Sequence, residues 1–280
     1  FKAFEVGVSL AEIENNVSLY LDSITRRNEN LPQEEMDLAV KIYQHLFQPL
    51  ETSLDPNKKI CLIPDKILFQ LPFASLIAPD EQFLLQKYKI IYAPSLNIFL
   101  ICTKKAGSFT PNKTENILSI GNPAFNQQDF ADLQKLPNAA TEAERVADFY
   151  ERKTVLLEKS ASKKNVNAYF EKSDIIHFAG PYVVDEYSPL LSKMILADDA
   201  GITDIKDKVL MNHEIFERKF VNTKLVVLAA CQTGVEGIFN GEGMTGASRV
   251  FLAAGIPSVI ASQWSVDSEA TTQLMIAFHK

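Results

Sequence analysis

The chain has 280 residues and a formal net charge of −7, from 28 lysines and arginines against 35 aspartates and glutamates. Its length suffices for one large α/β domain or two smaller ones, and a composition of 46% hydrophobic and 22% charged residues is typical of a soluble globular protein. An acidic chain without a lysine or arginine cluster is not expected to bind duplex nucleic acid through its phosphates, and no apolar stretch approaches the roughly 20 residues of a membrane-spanning helix.

The three cysteines, Cys61, Cys102 and Cys231, are too few and too scattered along the chain for a disulfide framework. Because the chain also has no basic-then-apolar leader, we predict a reducing, cytoplasmic location. The sequence begins at Phe1 rather than at a methionine and ends within an apparent helix, so we expect it to be a piece of a longer protein.

The N-terminal part of the chain predicts helices followed by two short strands. Residues 9–50 repeat apolar side chains with a helical period, and Ser9-Leu-Ala-Glu12 forms a capping box at their start. Strands are predicted at Lys59–Ile63 and Tyr88–Tyr92, each of which ends close to a proline. Residues 103–114 are polar and contain glycine and proline, which is typical of a linker.

Beyond this linker, apolar strands alternate with helices. One helix is predicted at residues 141–151, where Thr141-Glu-Ala-Glu144 forms a capping box. The strands are nearly continuous apolar runs, predicted at Ile117–Ile120, Thr154–Leu157, Asp174–Phe178, Leu225–Ala230 and Ser258–Ser262. The alternation predicts an α/β fold with a mostly parallel sheet covered on both faces, whose sites lie beyond the carboxyl ends of the strands.

Cys231 follows directly after the predicted strand Leu225–Ala230. The strand would fix the backbone of a cysteine there and leave its thiol accessible, as a nucleophilic thiolate requires. The alternative interpretation is a cysteine packed in the core. The segment Ala230-Cys-Gln-Thr-Gly234 is a loose match to the caspase nucleophile signature, whose histidine base lies about 50 residues upstream. In this chain that position is Pro181.

Several further segments of the sequence match the motifs of one protein family and occur in the same order along the chain. They are Ile176-His-Phe-Ala-Gly180, Ser188-Pro-Leu-Leu-Ser192, Leu228-Ala-Ala-Cys-Gln-Thr-Gly234, Gly241-Glu-Gly243, Ser248-Arg-Val-Phe-Leu-Ala-Ala-Gly255 and Ser258-Val-Ile-Ala-Ser-Gln-Trp-Ser-Val-Asp267, with weaker matches at Ile63-Pro-Asp65, Leu71-Pro-Phe-Ala-Ser-Leu76 and Tyr92-Ala-Pro-Ser-Leu96. With these segments the chain resembles the CHAT domain, a caspase- and separase-like cysteine-peptidase module often found beside tetratricopeptide repeats in bacteria.

The resemblance implies a caspase-like three-layer sandwich with a mostly parallel central sheet. Residues 114–280 would form the peptidase half, apparently truncated at its C-terminal end. A helical and smaller pseudo-caspase-like half, residues 1–113, would precede it.

The resemblance also assigns the site. Cys231 would be the nucleophile, and the backbone N–H groups of Cys231 and Tyr182 would form the oxyanion hole. The family pattern His-Phe-Ala-Gly-His has a catalytic second histidine, whereas this chain has His177-Phe-Ala-Gly-Pro181. Because proline neither accepts nor donates a proton, Pro181 cannot be the general base. His177 is a poor substitute, since a histidine within this apolar strand is expected to be a partly buried structural residue.

Asp267 follows the last predicted strand and precedes a helix, which makes it a favoured N-cap residue. The alternative, by resemblance to the separases, is that Asp267 or Glu269 forms an acidic wall of the specificity pocket and favours a basic residue before the cleaved bond. Trp264 lines the same pocket or belongs to the core. His45 and His279 are expected to be ordinary surface or packing residues on helices.

The segment Gly241-Glu-Gly-Met-Thr-Gly246 matches the pattern G-x-G-x-x-G, but ten residues separate it from the preceding strand, whereas a dinucleotide fingerprint opens directly off a strand. We interpret it as a loop that leads into a helix at Met244–Ala254. The sequence contains no C-x-x-C, H-E-x-x-H or G-x-x-x-x-G-K-[ST] pattern, so neither a metal nor a cofactor is predicted.

Two functions are therefore open. By resemblance, the chain is a cysteine endopeptidase that cleaves protein substrates through a Cys–His dyad. It would be an effector in bacterial defence or cell death, regulated by sensor or repeat domains in the same chain or in a partner complex, and inactive in this chain because of Pro181. The alternative is a pseudo-peptidase scaffold that binds a peptide or protein partner without turnover. Neither hypothesis involves a membrane or a nucleic acid.

Overall fold

The structure is a computed structural model that describes residues 2–25, 33–110, 114–133, 136–185, 187–198, 204–229, 243–263 and 267–280. The chain divides into two compact units, Phe1–Leu96 and Asn97–Lys280. The domain ranges expected above, 1–113 and 114–280, stay a prediction.

The first unit packs helices against two short strands. Its elements are α1 (Leu10–Thr25), α2 (Gln33–Leu46), β1 (Lys59–Leu62), α3 (Leu84–Lys87) and β2 (Lys89–Tyr92). Ser9 caps α1 as predicted, because its Oγ accepts a hydrogen bond from the Glu12 N–H at 3.2 Å. The two predicted strands are present and pair in parallel. The buried core of this unit is centred on the aromatic rings of Tyr43, Phe47 and Phe73.

The second unit contains the predicted parallel sheet. Its helices are α4 (Leu96–Ala106), α5 (Pro137–Ala147), α6 (Lys163–Tyr169), α7 (Asn212–Phe216), α8 (Gly243–Ala253) and α9 (Ser268–His279). Its strands are β3 (Asn116–Gly121), β4 (Arg152–Leu157), β5 (Ile175–Ala179), β6 (Tyr182–Val183), β7 (Lys193–Ile195), β8 (Val209–Met211), β9 (Leu225–Leu228) and β10 (Ser258–Ala261). The five-stranded sheet has the order β10-β9-β5-β3-β4, and all of its neighbouring strands are parallel.

Alternate residues of β5 point to opposite faces of this sheet and enter two different cores. Ile176 and Phe178 pack in a core that includes side chains of α6, α7 and α8. Ile175 packs on the other face with side chains of α5 and α9. The sheet is therefore the middle layer of three, as the caspase-like prediction requires.

A second, antiparallel sheet is inserted between β5 and β9 in the chain, and the sequence patterns missed it. It has the order β6-β7-β8, with pairs such as Tyr182 opposite Met194. The strands have two or three residues each, too few to show a period.

Two predicted boundaries were wrong. Residues 103–106 belong to the last turn of α4 rather than to a linker. The Lys105 ammonium of that turn donates to the Gly255 carbonyl, two residues after α8, and at 2.6 Å to the Phe220 carbonyl, which lies between α7 and β9. Helix α5 begins at Pro137, so Thr141 lies inside it and does not cap it. Proline is favoured in the first helical turn because its missing N–H would have no partner there.

None of the helices in the described ranges combines the length and the apolar character needed to cross a bilayer.

Candidate functional site

The candidate site lies where β5 and β9 end side by side. The two strands pair in parallel from Ile175 with Leu225 to Phe178 with Leu228. Pro181 comes three residues after Phe178, and Cys231 comes three residues after Leu228. Cys231 itself lies outside the described residues. The strand that leads to the predicted nucleophile is thus the direct neighbour of the strand that leads to Pro181.

Pro181 is buried at the start of the antiparallel sheet. Its carbonyl accepts a hydrogen bond from the Ile195 N–H at 3.0 Å. Since Tyr182 lies opposite Met194, Pro181 lies opposite Ile195, and a residue with an N–H group would complete this pair with a second bond. Proline keeps one bond of the pair and has no group that exchanges a proton near neutral pH.

The turn before Pro181 is closely packed around Gly180. A Cβ atom at Gly180 would lie 2.8 Å from Cζ of Phe178 and 2.9 Å from Cδ of Pro123. The Asn122 N–H donates to the Ala179 carbonyl at 2.9 Å and ties the end of β5 to the end of β3. The backbone that presents position 181 is therefore fixed by contacts on both sides.

Tyr182 joins the site to α7. Its side chain is 1% exposed, and its hydroxyl donates to Oδ1 of Asn212 at 2.8 Å. Burial raises the pKa of this hydroxyl. The Asn212 amide in turn donates to the Pro189 carbonyl at 2.8 Å. Because the neighbouring pair of Pro181 and Ile195 is hydrogen-bonded, Tyr182 and Met194 form a non-hydrogen-bonded pair, so the Tyr182 N–H points away from β7.

His177 lies in the core, away from the strand ends. Its side chain is 0% exposed, and its Nε2 is 3.0 Å from Oε1 of Glu142, which is itself buried on α5. The expectation of a structural histidine is confirmed, and the burial is complete rather than partial. The ring is therefore bonded to Glu142 and shielded from solvent.

The sequence patterns missed the side chains that surround His177. Glu142 also accepts a hydrogen bond from Oγ1 of Thr272 at 2.9 Å. The His279 ring packs edge-to-face on the His177 ring with their centroids 5.1 Å apart, and its Nδ1 lies 2.8 Å from the Tyr150 hydroxyl. His279 is thus a packing residue and not a surface one. The available signal was the apolar face of α5, Ala139, Ala143 and Val146, within which Glu142 is the one charged residue.

Asp267 is the N-cap of α9. Its Oδ1 accepts hydrogen bonds from the N–H groups of Glu269 and Ala270, each at 2.9 Å. The capping interpretation is therefore confirmed. Glu269 is exposed in the first turn of the same helix. A role for either carboxylate in a specificity pocket stays a prediction, and Trp264 lies outside the described residues.

The glycine-rich segment is described only from Gly243 onwards, where α8 begins. The predicted helix at Met244–Ala254 is present to within one residue at each end. Within the described ranges, no group of three or more histidine, cysteine, aspartate or glutamate side chains is arranged to hold a metal ion.

Comparison with known proteins gives one family and one kind of curated relative. A family model described as "CHAT domain" matches residues 36–280. Tetratricopeptide repeat protein 28 of Homo sapiens is 21% identical over 318 aligned positions, which cover 95% of this chain and 13% of that protein. Its counterpart from Mus musculus is 22% identical over 303 positions, which cover 89% of this chain and 12% of that protein. The chain spans about an eighth of the length of the curated relatives it matches.

Proposed function

Because the chain belongs to the CHAT domain family and has its caspase-like α/β fold, we propose that it is a cysteine-peptidase domain whose Cys231 chemistry is disabled by Pro181. The observation that supports the proposal best is the pairing of β5 with β9. It brings the strands that lead to positions 181 and 231 side by side, yet position 181 has no proton acceptor.

In the intact mechanism a base at position 181 would take the proton of the Cys231 thiol. The thiolate would then attack a peptide carbonyl, and the N–H groups of Cys231 and Tyr182 would stabilise the oxyanion. The direction of the Tyr182 N–H, away from β7, supports that role. Removing one member of such a catalytic unit costs nearly as much as removing all of it, so we expect peptidase activity to be lower by several orders of magnitude.

No described histidine close in the chain to position 181 takes over the missing function. His177 is four residues away, but its ring is fully buried and its Nε2 is bonded to Glu142. A base must be within hydrogen-bond reach of the proton that it removes. This geometry favours loss of the activity over relocation of the base.

A second candidate function is a scaffold that binds a peptide or protein partner without turnover. It is favoured by the way Pro181 fits the fold, since the residue is buried and its carbonyl retains the bond to Ile195. A fold that keeps its strand ends while it lacks the base can still hold a partner there. The partners would be repeat or sensor domains of a longer chain; both curated relatives are named for tetratricopeptide repeats. A cytoplasmic location and a role in bacterial defence stay hypotheses.

The experiment that tests the disabled site compares the chain with Pro181→His and Pro181→Ala, each with and without Cys231→Ala. The first measurement is alkylation of Cys231 by iodoacetamide at neutral pH, followed by mass spectrometry. Cys61 and Cys102 serve as internal references, since burial raises the pKa of both thiols. The second measurement is cleavage of a peptide library.

We expect Pro181→His, and not Pro181→Ala, to increase the alkylation rate of Cys231 at least tenfold over the unaltered chain, and to produce cleavage that depends on Cys231. Equal alkylation rates in all three proteins would contradict the assignment of positions 181 and 231 to one site. Ordinary peptidase rates in the unaltered chain, abolished by Cys231→Ala, would contradict the loss of activity. Capture of the same partner by the unaltered chain and by Cys231→Ala, without cleavage, would support the scaffold.

A further inference from the structure

A buried cluster of polar side chains lies between β5, α5 and α9, on the sheet face that packs against those two helices. We call it the histidine cluster. It consists of Glu142, Tyr150, His177, Thr272 and His279. Glu142 bonds His177 through one oxygen and Thr272 through the other, at 3.0 and 2.9 Å, and Tyr150 bonds Nδ1 of His279 at 2.8 Å. The two imidazoles are in edge-to-face contact.

The histidine cluster connects α9 to the rest of the second unit. Thr272 lies near the start of α9, and His279 lies at its end. Glu142 lies on α5, and His177 lies on β5, whose carboxyl end leads to Pro181. Val146, Val227 and Met275 belong to the apolar core on the same face of the sheet, and Tyr150 packs against that core. The attachment of α9 is therefore partly polar, and its strength depends on the protonation of these groups.

The charge balance of the histidine cluster is limited to one carboxylate and two imidazoles. Its neighbours in the sheet are Ser119 on β3 and Val227 on β9, which pair with His177 and carry no charge. Glu115 acts electrostatically on the Tyr150 hydroxyl, but it is itself paired with Lys224 at 2.6 Å. The two oxygens of Glu142 bond His177 and Thr272, so no carboxylate of the cluster is bonded to His279 to balance a proton there.

Hydrogen bonding also disfavours a charged His279 ring. Among the described residues, Nδ1 of His177 and Nε2 of His279 are buried and have no hydrogen-bond partner. In a protonated imidazole both ring nitrogens donate, so a proton taken up by His279 would leave its Nε2–H group, now part of a cation, buried without an acceptor. An unsatisfied buried donor costs free energy, and a charged one costs more.

We propose that the histidine cluster is an acid-sensitive lock on α9: the helix is held against β5 and α5 while His279 is neutral, and proton uptake by His279 releases it. The pKa of His279 is lowered from 6.5 to about 4, mainly because the ring is buried and to a smaller extent because His177 is its neighbour. The open form then binds the proton more tightly than the closed form does. The stability of the attachment is fully present above about pH 6.5 and is lost progressively as the pH falls towards 4.

Release of α9 would also move the Asp267 cap at its start, which is one of the residues predicted for the specificity pocket. The lock itself does not depend on the proposed function, because none of its groups takes part in the Cys231 chemistry. A negative result for the lock and a negative result for the peptidase site are therefore independent.

The test is native-state hydrogen exchange of the α9 amides in the full chain, from pH 7.5 to 4.5, corrected for the intrinsic exchange rate. Uptake of one proton on opening raises the opening equilibrium constant by up to about tenfold per pH unit. We expect this rise for α9 below about pH 6.5 in the unaltered chain. His279→Phe retains an aromatic ring and removes the proton site, so it should abolish the rise. His213→Gln, a change to a half-buried histidine on α7, is the matched control and should retain it.

Two results of the exchange measurement would overturn the lock: an opening constant for α9 that does not change with pH in the unaltered chain, or the same rise in His279→Phe. If His279→Phe fails to fold, His279→Gln replaces it, because its amide can still accept from Tyr150. An NMR titration of the His279 ring gives an independent measurement in the unaltered chain. A ring that becomes protonated near pH 6.5 without release of α9 would also overturn the proposal.

Discussion

At position 181 the fold and the proposed reaction require different chemical groups. The backbone needs a carbonyl that accepts from Ile195 at the start of the antiparallel sheet, and Pro181 supplies it. The proposed catalysis would need an imidazole, which Pro181 lacks. Proline is tolerated at the first residue of a strand because its missing N–H removes only one ladder bond there. The local structure therefore does not depend on the group that the chemistry requires, and Pro181→His should restore a ladder bond instead of disturbing the fold.

Gly180 gives the first prediction at this scale. A Cβ at this position would be 2.8 Å from the Phe178 ring and 2.9 Å from Pro123, both closer than real Cβ contacts. Because both neighbours are buried and closely packed, we expect Gly180→Ala to lower the free energy of unfolding by about 1–3 kcal/mol, the usual cost of overpacking. Chemical denaturation measures the change.

The control for Gly180→Ala is Gly107→Ala. A Cβ there would lie 3.5 Å from the Thr103 carbonyl, an ordinary contact. We expect a change within about 0.5 kcal/mol, as for most surface substitutions. An equally small change for Gly180→Ala would show that the end of β5 relaxes more easily than its contacts indicate.

Among the elements, α9 is held at its first turn by Asp267. Two N–H groups that would otherwise lack partners donate to the same Asp267 oxygen at 2.9 Å. We expect Asp267→Ala to lower the free energy of unfolding by about 1 kcal/mol, and Asp267→Asn to lower it much less, because asparagine also caps helices well. Thermal and chemical unfolding of the three proteins measure the difference.

The same pair of variants separates capping from a role in substrate recognition. If Asp267 also favours a basic residue in a bound peptide, Asp267→Asn will weaken binding of that peptide while it keeps the stability. Equal loss of stability in both variants would contradict the capping role. Equal binding by Asp267→Asn and the unaltered chain would remove Asp267 from the specificity pocket.

The sequence predicted those elements whose pattern is long enough to show a period. The strands β3, β5, β9 and β10 were located to within two residues, because buried parallel strands are continuous apolar runs. The antiparallel strands β6 to β8 were missed because each has two or three residues. The start of α5 was wrong because Thr141-Glu-Ala-Glu144 imitates a capping box inside the helix, while the chain enters the helix at Pro137.

The position of the candidate site was predicted from an interval along the chain. The interval of about 50 residues between base and nucleophile in the caspase signature equals the separation of paired residues in β5 and β9, for example Ile175 and Leu225. The pairing of Glu142 with His177 was not predictable, since it joins residues 35 apart through tertiary packing. No local pattern reports which buried carboxylate a buried imidazole will meet.

At the scale of the whole molecule, the two compact units have separate cores. The core around Tyr43 and Phe47 draws its buried side chains from the first unit. The cores on both faces of the five-stranded sheet draw theirs from the second unit. Each unit therefore buries apolar side chains of its own, which is the physical requirement for independent folding.

The last prediction concerns where the second unit must begin. Lys105 on α4 donates to the carbonyls of Phe220 and Gly255, so these bonds join α4 to the segments that follow α7 and α8. We expect a fragment of residues 97–280 to unfold cooperatively on heating, and a fragment of residues 114–280 to be less stable by about 2–3 kcal/mol or more, because it leaves these carbonyls without their charged donor. Lys105→Met in the longer fragment should reproduce much of this loss, whereas Lys104→Met, a change to an exposed neighbour, should not.

Circular dichroism during thermal and chemical unfolding measures all four proteins. Equal stability of the two fragments would place the boundary at 113 and make α4 dispensable. A non-cooperative transition in residues 97–280 would show that the second unit needs the first in order to fold.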